Sequence, residues 1–502
     1  MNLTAQQSAF VSTLLNTSSN VALVARAGCG KTSTILAATV ELVKKFPRCE
    51  IAIVCYGNTI AKEIGEKVAK LGLDWKQVNT STTHSLGMGL CKFAFRLEPK
   101  RDINANKVRD IITRLREEGD EACDYYGAQI GKLVSLAKGD GFGFFGDKQI
   151  GDRSAWYALA DHYDVNGFDD TTDMDAVIDA AQKVYRISLN DTKTIDFDDM
   201  VLFPLIKNLS VKFPKDIIFV DEAQDTSPAR QALIRKFLKP RTGRIVLVGD
   251  DRQAIMGFSG ADVDALPNMI RDFSAVALPL SMTWRCPKAV VREAQRLVPD
   301  IEAAESAIEG SVVRMAGVPE DLKAGDAVLC RNTAPLIVMA YSLIRKGIAC
   351  KVEGRSIGEG LSNLAKRWKV KSVDVLLQRL ETYREREISK AMAKGNDAKV
   401  EEVEDRVATL VEICNACIAQ NKTTVQDVLA FIDNLFADGA TNVVVMATYH
   451  RSKGREWERV ILFQNSARCP SKAAKQPWQL QQEYNLEYVA ITRAQRELIY
   501  AE

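Results

Sequence analysis

The segment A-R-A-G-C-G-K-T, at residues 25–32, constrains the fold of this chain more than any other part of the sequence. It matches the phosphate-binding loop G-x-x-x-x-G-K-S/T, with alanine in place of the first glycine. An apolar run precedes it at residues 21–24, and a helix-forming stretch follows at residues 33–45. This strand–loop–helix order is the context that such a loop requires, so the sequence predicts an α/β P-loop domain.

The residues of this loop have separate predicted tasks. The backbone N–H groups of residues 28–32 would surround a triphosphate, helped by the positive end of the following helix. Lys31 would neutralise the β and γ phosphates of ATP, and the Thr32 hydroxyl would bind Mg²⁺. The alternative is a glycine-containing turn that precedes Lys-Thr by chance. The predicted ATP-contact residues of the loop are Ala27, Gly28, Cys29, Gly30, Lys31, Thr32 and Ser33.

A second half of the nucleotide site follows a later apolar run. Residues 217–220 are all apolar, as expected of a buried parallel strand, and Asp221 and Glu222 come next. Carboxylates at this end of a strand lie where ligands bind in open α/β sheets. We expect Asp221 to hold Mg²⁺ through water and Glu222 to deprotonate the attacking water; the alternative is a solvated acidic turn. A third apolar run, at residues 245–248, leads to Gln253, a candidate sensor of the γ phosphate.

Fast ATP hydrolysis also needs positive charge on the transition state. Two arginines have a distinctive context: Arg285 in M-T-W-R-C-P and Arg493 in Y-V-A-I-T-R-A. An arginine that stabilises the charge of this transition state accelerates hydrolysis by about 10³–10⁵-fold. Each one taken alone could equally be an ordinary surface cation.

An ordered series of motifs makes the chain resemble the UvrD/Rep/PcrA-like group of superfamily 1 DNA helicases. Each motif is weak by itself, but the order of the whole set is specific. Besides the phosphate loop and the Asp221 segment, the matching segments are L-T-A-Q-Q at 3–7, C-Y-G-N-T-I-A-K-E at 55–63, T-T-H at 82–84, I-D-F-D-D at 195–199, G-D-D-R-Q-A-I-M-G-F-S-G-A at 249–261, T-Y-H-R-S-K-G-R-E-W at 448–457 and E-Y-N-L-E-Y-V-A-I-T-R-A at 483–494.

The resemblance implies an α/β fold with two RecA-like P-loop NTPase domains, each with an inserted mainly helical subdomain. It implies that ATP binds between the two domains and that Arg285 and Arg493 reach it from the second. Gln253 would couple ATP to DNA. The remaining ATP contacts that it implies are Gln7 for the adenine edge, Trp284 for stacking on adenine, Glu456 for the ribose, and Gly454.

The resemblance also implies a set of DNA contacts, namely Tyr56, Asn58, Thr82, His84, Phe258, Thr448 and His450. Two of the three histidines of the chain lie in a Thr-x-His pattern, once in each half, which favours paired contacts to the phosphate backbone. Three positions depart from the family pattern. Met256 and Ser259 replace residues that stack and carry charge, which weakens the expected grip on DNA. Ser33 replaces the usual arginine beside the phosphate loop.

We predict four segments from these motifs. Residues 1–95 and 195–280 form the first motor domain, and residues 96–194 are its inserted helical arm. Residues 281–355 and 441–502 form the second motor domain, and residues 356–440 are a reduced helical insertion. Helical periodicity is clearest at residues 108–115, 176–187 and 373–380. The sequence leaves two interpretations open. The phenylalanines of the loop at 139–146 either fill a core or contact DNA. The basic cluster around Trp368 either contacts duplex DNA or forms a solvated helix face.

The composition of the chain limits the class of protein and the cellular compartment that we expect. The net charge of +2 argues against a globally basic coating protein, although it permits a locally basic groove. No signal peptide and no apolar run of transmembrane length is evident, so we expect a cytoplasmic protein without a membrane partner. Eleven scattered cysteines fit a reducing compartment. The single C-x-x-C, Cys414 to Cys417, fits two cysteines on a helix face better than a zinc or redox site.

The predicted function is therefore an ATP- and Mg²⁺-dependent DNA helicase or single-strand translocase, moving 3′→5′ as the family does. Its expected substrates are single-stranded DNA and single-strand/double-strand junctions. The candidate protein partners are a single-strand binding protein, a nuclease or a replication or repair factor. The main alternative is a DNA-stimulated motor ATPase that translocates or strips proteins without unwinding by itself. A nucleotide-gated DNA switch and an RNA substrate are weaker alternatives.

Overall fold

The computed structural model of this protein describes residues 3–165, 172–257, 260–346, 348–393, 397–436 and 442–502. The chain divides into two compact units, the first ending at Leu280 and the second beginning at Ser281. The two units are described separately. No helix in the described part of the chain is both long and apolar enough to cross a membrane.

The strands are short, and most of them are apolar on both faces. In chain order they are β1 (Val21–Ala25), β2 (Ile51–Cys55), β3 (Val78–Thr82), β4 (Ile217–Asp221), β5 (Arg244–Gly249), β6 (Val276–Leu280), β7 (Met282–Thr283), β8 (Glu302–Ala303), β9 (Ser311–Met315), β10 (Ala327–Cys330), β11 (Cys350–Val352), β12 (Val444–Thr448), β13 (Trp457–Phe463) and β14 (Ala494–Ala501).

The helices connect these strands or form longer helical segments between them. In chain order they are α1 (Ala5–Asn16), α2 (Lys31–Lys45), α3 (Asn58–Lys70), α4 (Thr83–Phe95), α5 (Pro99–Asp102), α6 (Lys107–Glu117), α7 (Glu121–Asp140), α8 (Arg153–His162), α9 (Met174–Asn190), α10 (Phe197–Ile206), α11 (Pro228–Lys236), α12 (Ala265–Asp272), α13 (Lys288–Ala294), α14 (Ala334–Arg345), α15 (Arg355–Lys366), α16 (Val373–Ala393), α17 (Asp397–Ile418), α18 (Val425–Leu435), α19 (Tyr449–Ser452), α20 (Asn465–Arg468) and α21 (Pro477–Ile491).

The first unit is built on a parallel sheet with the strand order β3-β2-β4-β5-β1-β6. Val21 of β1 pairs with Val246 of β5 on one side and with Val276 of β6 on the other. One apolar core lies on each face of this sheet, because the central strands bury side chains on both sides. A parallel sheet covered on both faces is the α/β architecture that the phosphate loop predicts, and the prediction of the fold class is confirmed.

The helical part of the first unit, α5 to α9, has a core of its own. Helices α6 and α9 confirm the periodicity predicted at residues 108–115 and 176–187. Phe142 of the loop that follows α7 is buried, and its ring centroid lies 4.9 Å from that of Trp156. Phe144 is 42% exposed, so the loop contributes one phenylalanine to the core and leaves another at the surface.

A buried ion cluster ties this helical part to α10. Lys138 lies 2.6 Å from an oxygen of Asp196 and 2.7 Å from an oxygen of Asp199. Lys107 lies 2.7 Å from the other oxygen of Asp199. Asp196 and Asp199 also form the capping box that begins α10. The acidic motif at residues 195–199 therefore fixes α10 to helices α6 and α7.

The second unit is built on another parallel sheet, with the strand order β11-β12-β10-β13-β14-β9. Strand β10 pairs with β12 on one side and with β13 on the other. Helices α15 to α18 pack into the core of this unit. Cys414 and Cys417 are buried on α17. The ring centroids of Trp368 and Tyr383 lie 5.8 Å apart.

Candidate functional site

The strand order of the first unit divides its predicted site residues into two groups along one edge of the sheet. The carboxyl ends of β1, β4 and β5 are neighbours, and they carry the phosphate loop, Asp221 and Asp250. The ends of β2 and β3 lie beside them and lead to Tyr56 and Thr82. Ligands bind at this edge in open α/β sheets, so β4 separates a nucleotide side from a second polar side.

The phosphate loop turns sharply between β1 and α2. Gly28 and Gly30 have positive φ angles of 71° and 82°, which glycine adopts without steric cost. Gly30 is the N-cap residue of α2 and has no side chain to bond the first-turn N–H groups. Those N–H groups and the positive end of the helix favour an anion at this position.

Lys31 begins α2 and forms an ion pair with Glu222, with 2.9 Å between its Nζ and the carboxylate Oε1. Burial alone would lower the pKa of Lys31. The charges of Glu222, Asp221 and Asp250 outweigh it and raise that pKa above its usual range. Lys31 is therefore cationic and lies among the three carboxylates that the sequence placed at the ends of β4 and β5.

Asp221 ends β4 and is buried, with 5% exposure. Burial, together with the adjacent negative charge of Glu222, raises the pKa of Asp221 to about 7. A bound cation would favour the ionised form of such a carboxyl group. The Asp221 carboxylate and the Thr32 hydroxyl supply oxygen ligands, which Mg²⁺ prefers, and phosphate oxygens and water usually complete its coordination. The side chains present thus fit Mg²⁺ bound together with a triphosphate.

Glu222 has a left-handed backbone, with φ 53° and ψ 46°. A non-glycine residue in this region costs about 1–3 kcal/mol and persists only when its surroundings hold it. The side-chain amide of Gln224 donates to the Glu222 carboxylate, and its oxygen accepts the backbone N–H of Asp250 at 3.1 Å. A Cβ on Gly249 would come to 2.4 Å from the Gln224 oxygen, so a larger residue there would displace the Gln224 side chain. Gln224 therefore fixes the carboxylate that the sequence assigns as the base.

Asp250 anchors the next part of the site. Its carboxylate accepts from Arg26 Nη1 at 3.1 Å and from Gln253 Nε2 at 2.7 Å. Arg26 also bonds Asp251 at 2.6 Å. Gln253 is thereby held in a short 3₁₀ turn after β5, as a residue acting on a γ phosphate from this strand end would need to be.

Gln7 is held over the phosphate loop from a distant part of the sequence. Its Oε1 accepts the backbone N–H of Thr4 at 3.0 Å in a capping box, and its Nε2 donates to Thr34 Oγ1 at 3.0 Å. A Cβ on Gly30 would lie 3.4 Å from the Gln7 Nε2. The predicted adenine contact is therefore rigidly placed next to the loop.

In the second unit, Arg285 forms an ion pair with Glu456, with 2.5 Å between Nε and Oε2. Glu456 also accepts from Gln495 at 3.0 Å. The neighbouring Trp284 is 57% exposed, so its ring is open to a stacking partner. The predicted ribose contact, the predicted stacking ring and one predicted arginine thus lie close together within this unit.

Arg493 has a different environment from Arg285. It is buried, and its guanidinium donates to the carbonyls of Val489 at 2.8 Å and Arg455 at 3.1 Å and to Thr492 Oγ1 at 3.2 Å. These acceptors belong to the second unit. The sequence alone did not indicate that this guanidinium bonds to its own backbone.

The second polar side of the first unit contains four of the predicted DNA contacts. Tyr56 follows β2 and is 38% exposed, Asn58 begins α3, and Thr82 caps α4 by accepting the N–H of Ser85 at 3.2 Å. His84 lies in the first turn of α4, and burial, followed by the positive charge of Arg230, lowers the pKa of His84 to about 4. His84 is therefore neutral at physiological pH.

Two adjoining cavities in the first unit share three of these side chains, namely Tyr56, His84 and Arg230. The larger cavity is also lined by Ser135, Lys138, Gly139, Asp198, Val201, Asp225, Ser227, Gly260 and Ala261. The smaller one is also lined by Val54, Cys55, Thr83, Val220, Asp221, Glu222 and Thr226. Phe258, the fifth predicted DNA contact, and Ser259 lie outside the described residues.

The second unit repeats the Thr-x-His arrangement. Thr448 ends β12 and caps α19 by accepting the N–H of Arg451 at 3.4 Å. Burial, followed by the nearby charges of Arg331, Arg451 and Lys453, lowers the pKa of His450 to about 3. Gly454, in the turn after α19, has a positive φ of 83°.

Two family models match this chain. The UvrD/REP helicase N-terminal domain matches residues 3–274, and the UvrD-like helicase C-terminal domain matches residues 359–501. The chain belongs to the UvrD/REP helicase family. This confirms the predicted family, and with the two parallel sheets it supports two RecA-like domains.

Several curated proteins of the UvrD/REP family are similar to this chain. A probable DNA helicase II homolog from Mycoplasma capricolum subsp. capricolum is 26% identical over 298 residues. The ATP-dependent DNA helicase Rep of Escherichia coli is 24% identical over 289 residues, and the ATP-dependent DNA helicase PcrA of Leuconostoc citreum is 24% identical over 294 residues. Each match covers 55% of this chain but only 36% to 40% of the relative, so the chain spans about two fifths of their length.

Three residues of this UvrD/REP-family chain that shape the sites were not identified from the sequence. Gln224 lies inside the D-E-A-Q-D segment and Arg26 inside the phosphate loop, so motif position was an available signal for both. Arg230 stands outside every quoted motif. Only the packing of α11 beside Tyr56 reveals its position.

Proposed function

We propose that this protein is an ATP-dependent DNA helicase and single-strand translocase that moves 3′→5′ and uses Mg²⁺. The observation that carries the proposal is the shared edge of the first sheet. It carries the phosphate loop with Lys31, Asp221 and Glu222 on one side, and the Tyr56 and His84 surface on the other. An enzyme that couples hydrolysis to a bound strand needs both sites on one rigid element.

In this proposal the phosphate loop and Lys31 bind the β and γ phosphates of ATP, and Thr32 and Asp221 hold Mg²⁺, which supplies charge neutralisation at the phosphates. A triphosphate competes with Glu222 for Lys31, because both are anionic. Its binding therefore releases the Glu222 carboxylate from the 2.9 Å ion pair, and Glu222 can then take a proton from the attacking water. Gln224 keeps that carboxylate oriented.

The second unit contributes positive charge and the adenosine contacts. We propose that Arg285 and Arg493 stabilise the transition state, that Trp284 stacks on adenine with Gln7 at its edge, and that Glu456 contacts the ribose. Bonds to the carbonyls of Val489 and Arg455 fix the orientation of the Arg493 guanidinium within the second unit.

Stepping along DNA follows from coupling hydrolysis to the two RecA-like domains. Thr82 and His84 hold the strand in one domain, and Thr448 and His450 hold it in the other. Residues 96–194 and 356–440 are the helical insertions of the two motor domains. Single-stranded DNA and single-strand/double-strand junctions are the proposed substrates, and a protein partner of the replication or repair machinery is part of the proposal.

The deciding experiment measures ATP hydrolysis with and without single-stranded DNA, beside Glu222→Gln. The proposal expects strong stimulation by DNA and a loss of turnover in Glu222→Gln with ATP binding retained. A strand-displacement assay on duplexes with a 3′ or a 5′ tail then tests unwinding and direction. Absence of DNA stimulation contradicts the proposal. Stimulation without strand displacement leaves a translocating ATPase that does not unwind.

A further inference from the structure

The Thr-x-His site of the first unit lacks a positive charge of its own. His84 is neutral because burial lowers its pKa to about 4, and Thr82 and Tyr56 are uncharged. Affinity for a nucleic-acid backbone comes mainly from lysine and arginine side chains that neutralise phosphates. A strand held at Tyr56 and His84 therefore needs a cation from another element.

Arg230 is the cation placed to supply that charge. It belongs to α11, its guanidinium carbon lies 5.5 Å from the centroid of the Tyr56 ring, and it lines both cavities together with Tyr56 and His84. Within the part of the chain that the structure describes, Arg230 forms no ion pair with a carboxylate. The other cation lining the larger cavity, Lys138, is already paired with Asp196 and Asp199.

Four carboxylates line the two cavities, and among the described residues none of them forms an ion pair with Arg230. The Asp198 carboxyl accepts from Ser135 at 2.6 Å, and burial raises its pKa. Glu222 is paired with Lys31. The guanidinium instead packs against the exposed ring of Tyr56, which orients it and leaves its N–H groups to bond a further acceptor.

We propose that Arg230 binds a phosphate of the nucleic-acid backbone at the Tyr56–His84 surface and provides the charge of this contact. The inference rests on the proposed function, since it assigns a residue to the same DNA site. It predicts that the attraction between this surface and the phosphate comes from the charge of Arg230, because the neighbouring His84 is neutral.

The test measures binding of a fluorescent oligodeoxythymidylate across a series of salt concentrations. Arg230→Gln should reduce the slope of log K against log salt by about 0.7, the value for one phosphate contact on a single strand. It should also weaken binding by about tenfold or more at low salt. Arg230→Lys keeps the charge and should retain most of the slope.

The matched control is Arg235→Gln. Arg235 is an exposed arginine on the same helix, roughly 140° further around it, and its guanidinium carbon lies 4.2 Å from the centroid of the Phe273 ring. The substitution removes the same charge and a similar ring contact, but away from both cavities, so the slope should stay at the wild-type value. Should Arg230→Gln fail to fold, Arg230→Met keeps an unbranched stem on Tyr56 and gives the same readout.

An unchanged slope in folded Arg230→Gln, or an equal loss in Arg235→Gln, overturns the inference while DNA binding by the wild type still supports the proposed function. Wild-type protein that does not bind the oligonucleotide overturns both. ATP affinity is measured alongside, because the smaller cavity also contains Asp221 and Glu222. A loss of ATP affinity with normal DNA binding would assign Arg230 to the nucleotide and contradict the inference.

Discussion

The two Thr-x-His sites of this protein share one local design and differ in how an arginine near each histidine is paired. In both, the threonine caps a helix and burial keeps the histidine neutral. Arg230, in the first unit, packs on a tyrosine ring. Arg331, in the second, donates to Glu483 through Nε at 2.9 Å and Nη2 at 2.8 Å.

This difference shows that a repeated local motif does not fix the charge of its site. Glu483 is buried and also accepts the backbone N–H of Ser471 at 2.9 Å, so the Arg331 pair is part of the internal structure of the second unit. Arg230 has no such role among the described residues. Arg230 of the first site can offer its charge to DNA, whereas Arg331 of the second site is already paired with Glu483.

The largest expected effect is on catalysis, and it comes from a substitution in the second unit. It tests whether an arginine of that unit takes part in ATP hydrolysis. Arg493→Ala should lower ATP turnover by about 10³–10⁵-fold, because an arginine that stabilises the transition state contributes that much. Steady-state hydrolysis with single-stranded DNA and equilibrium binding of a fluorescent ATP analogue measure the two properties. ATP binding should be retained, and turnover close to wild type would remove Arg493 from catalysis.

The next effect separates the two arginines by stability. Arg331→Gln should destabilise the second unit by about 3–5 kcal/mol, because it leaves the buried Glu483 without its partner. Arg230→Gln should change the stability of the first unit far less. Native-state hydrogen exchange of peptides from each unit measures both, and equal losses in the two variants would show that the pairing difference has no energetic consequence.

A smaller effect should be the same in the two sites. Thr82→Ala and Thr448→Ala each remove an N-cap, which costs about 1 kcal/mol. Thr82→Ser and Thr448→Ser, which keep the hydroxyl, are the controls. Local exchange rates in α4 and α19 report the loss. A large difference between the two sites would mean that the threonines do not share one structural role.

The smallest expected effect is an absence of pH dependence. The pKa values of about 4 for His84 and about 3 for His450 lie below the usual 6.5, so neither residue gains a proton between pH 8 and pH 6. The ratio of DNA affinities of wild type and His84→Asn should stay constant over this range. A ratio that rises as the pH falls would show that His84 binds as a cation.

The same low pKa values set the sign of an effect on stability. In the unfolded chain, the imidazoles of His84 and His450 gain a proton near pH 6.5. In the folded protein, they gain it only near pH 4 and pH 3, respectively. Stability is therefore lost as the pH falls below 6.5. His84→Asn should reduce that loss in the first unit, which hydrogen exchange at pH 7 and pH 5 can measure.

The sequence by itself determined the family, the fold class and the strand ends that carry chemistry. These follow from local patterns: the phosphate loop is a continuous segment, and apolar runs before Asp221 and Gln253 identify buried parallel strands. The helices at residues 107–117 and 174–190 also follow from local periodicity.

Only the tertiary structure decided which side chains pair with each other. Arg230 and Tyr56 come from separate elements, as do Arg331 and Glu483, and no local pattern indicates these contacts. The orientation of Glu222 depends on Gln224 and on the close approach of Gly249. The charge and protonation of these side chains depend on their burial and on partners that are distant in sequence. Burial and these partners are established only when the sheets and helices pack together.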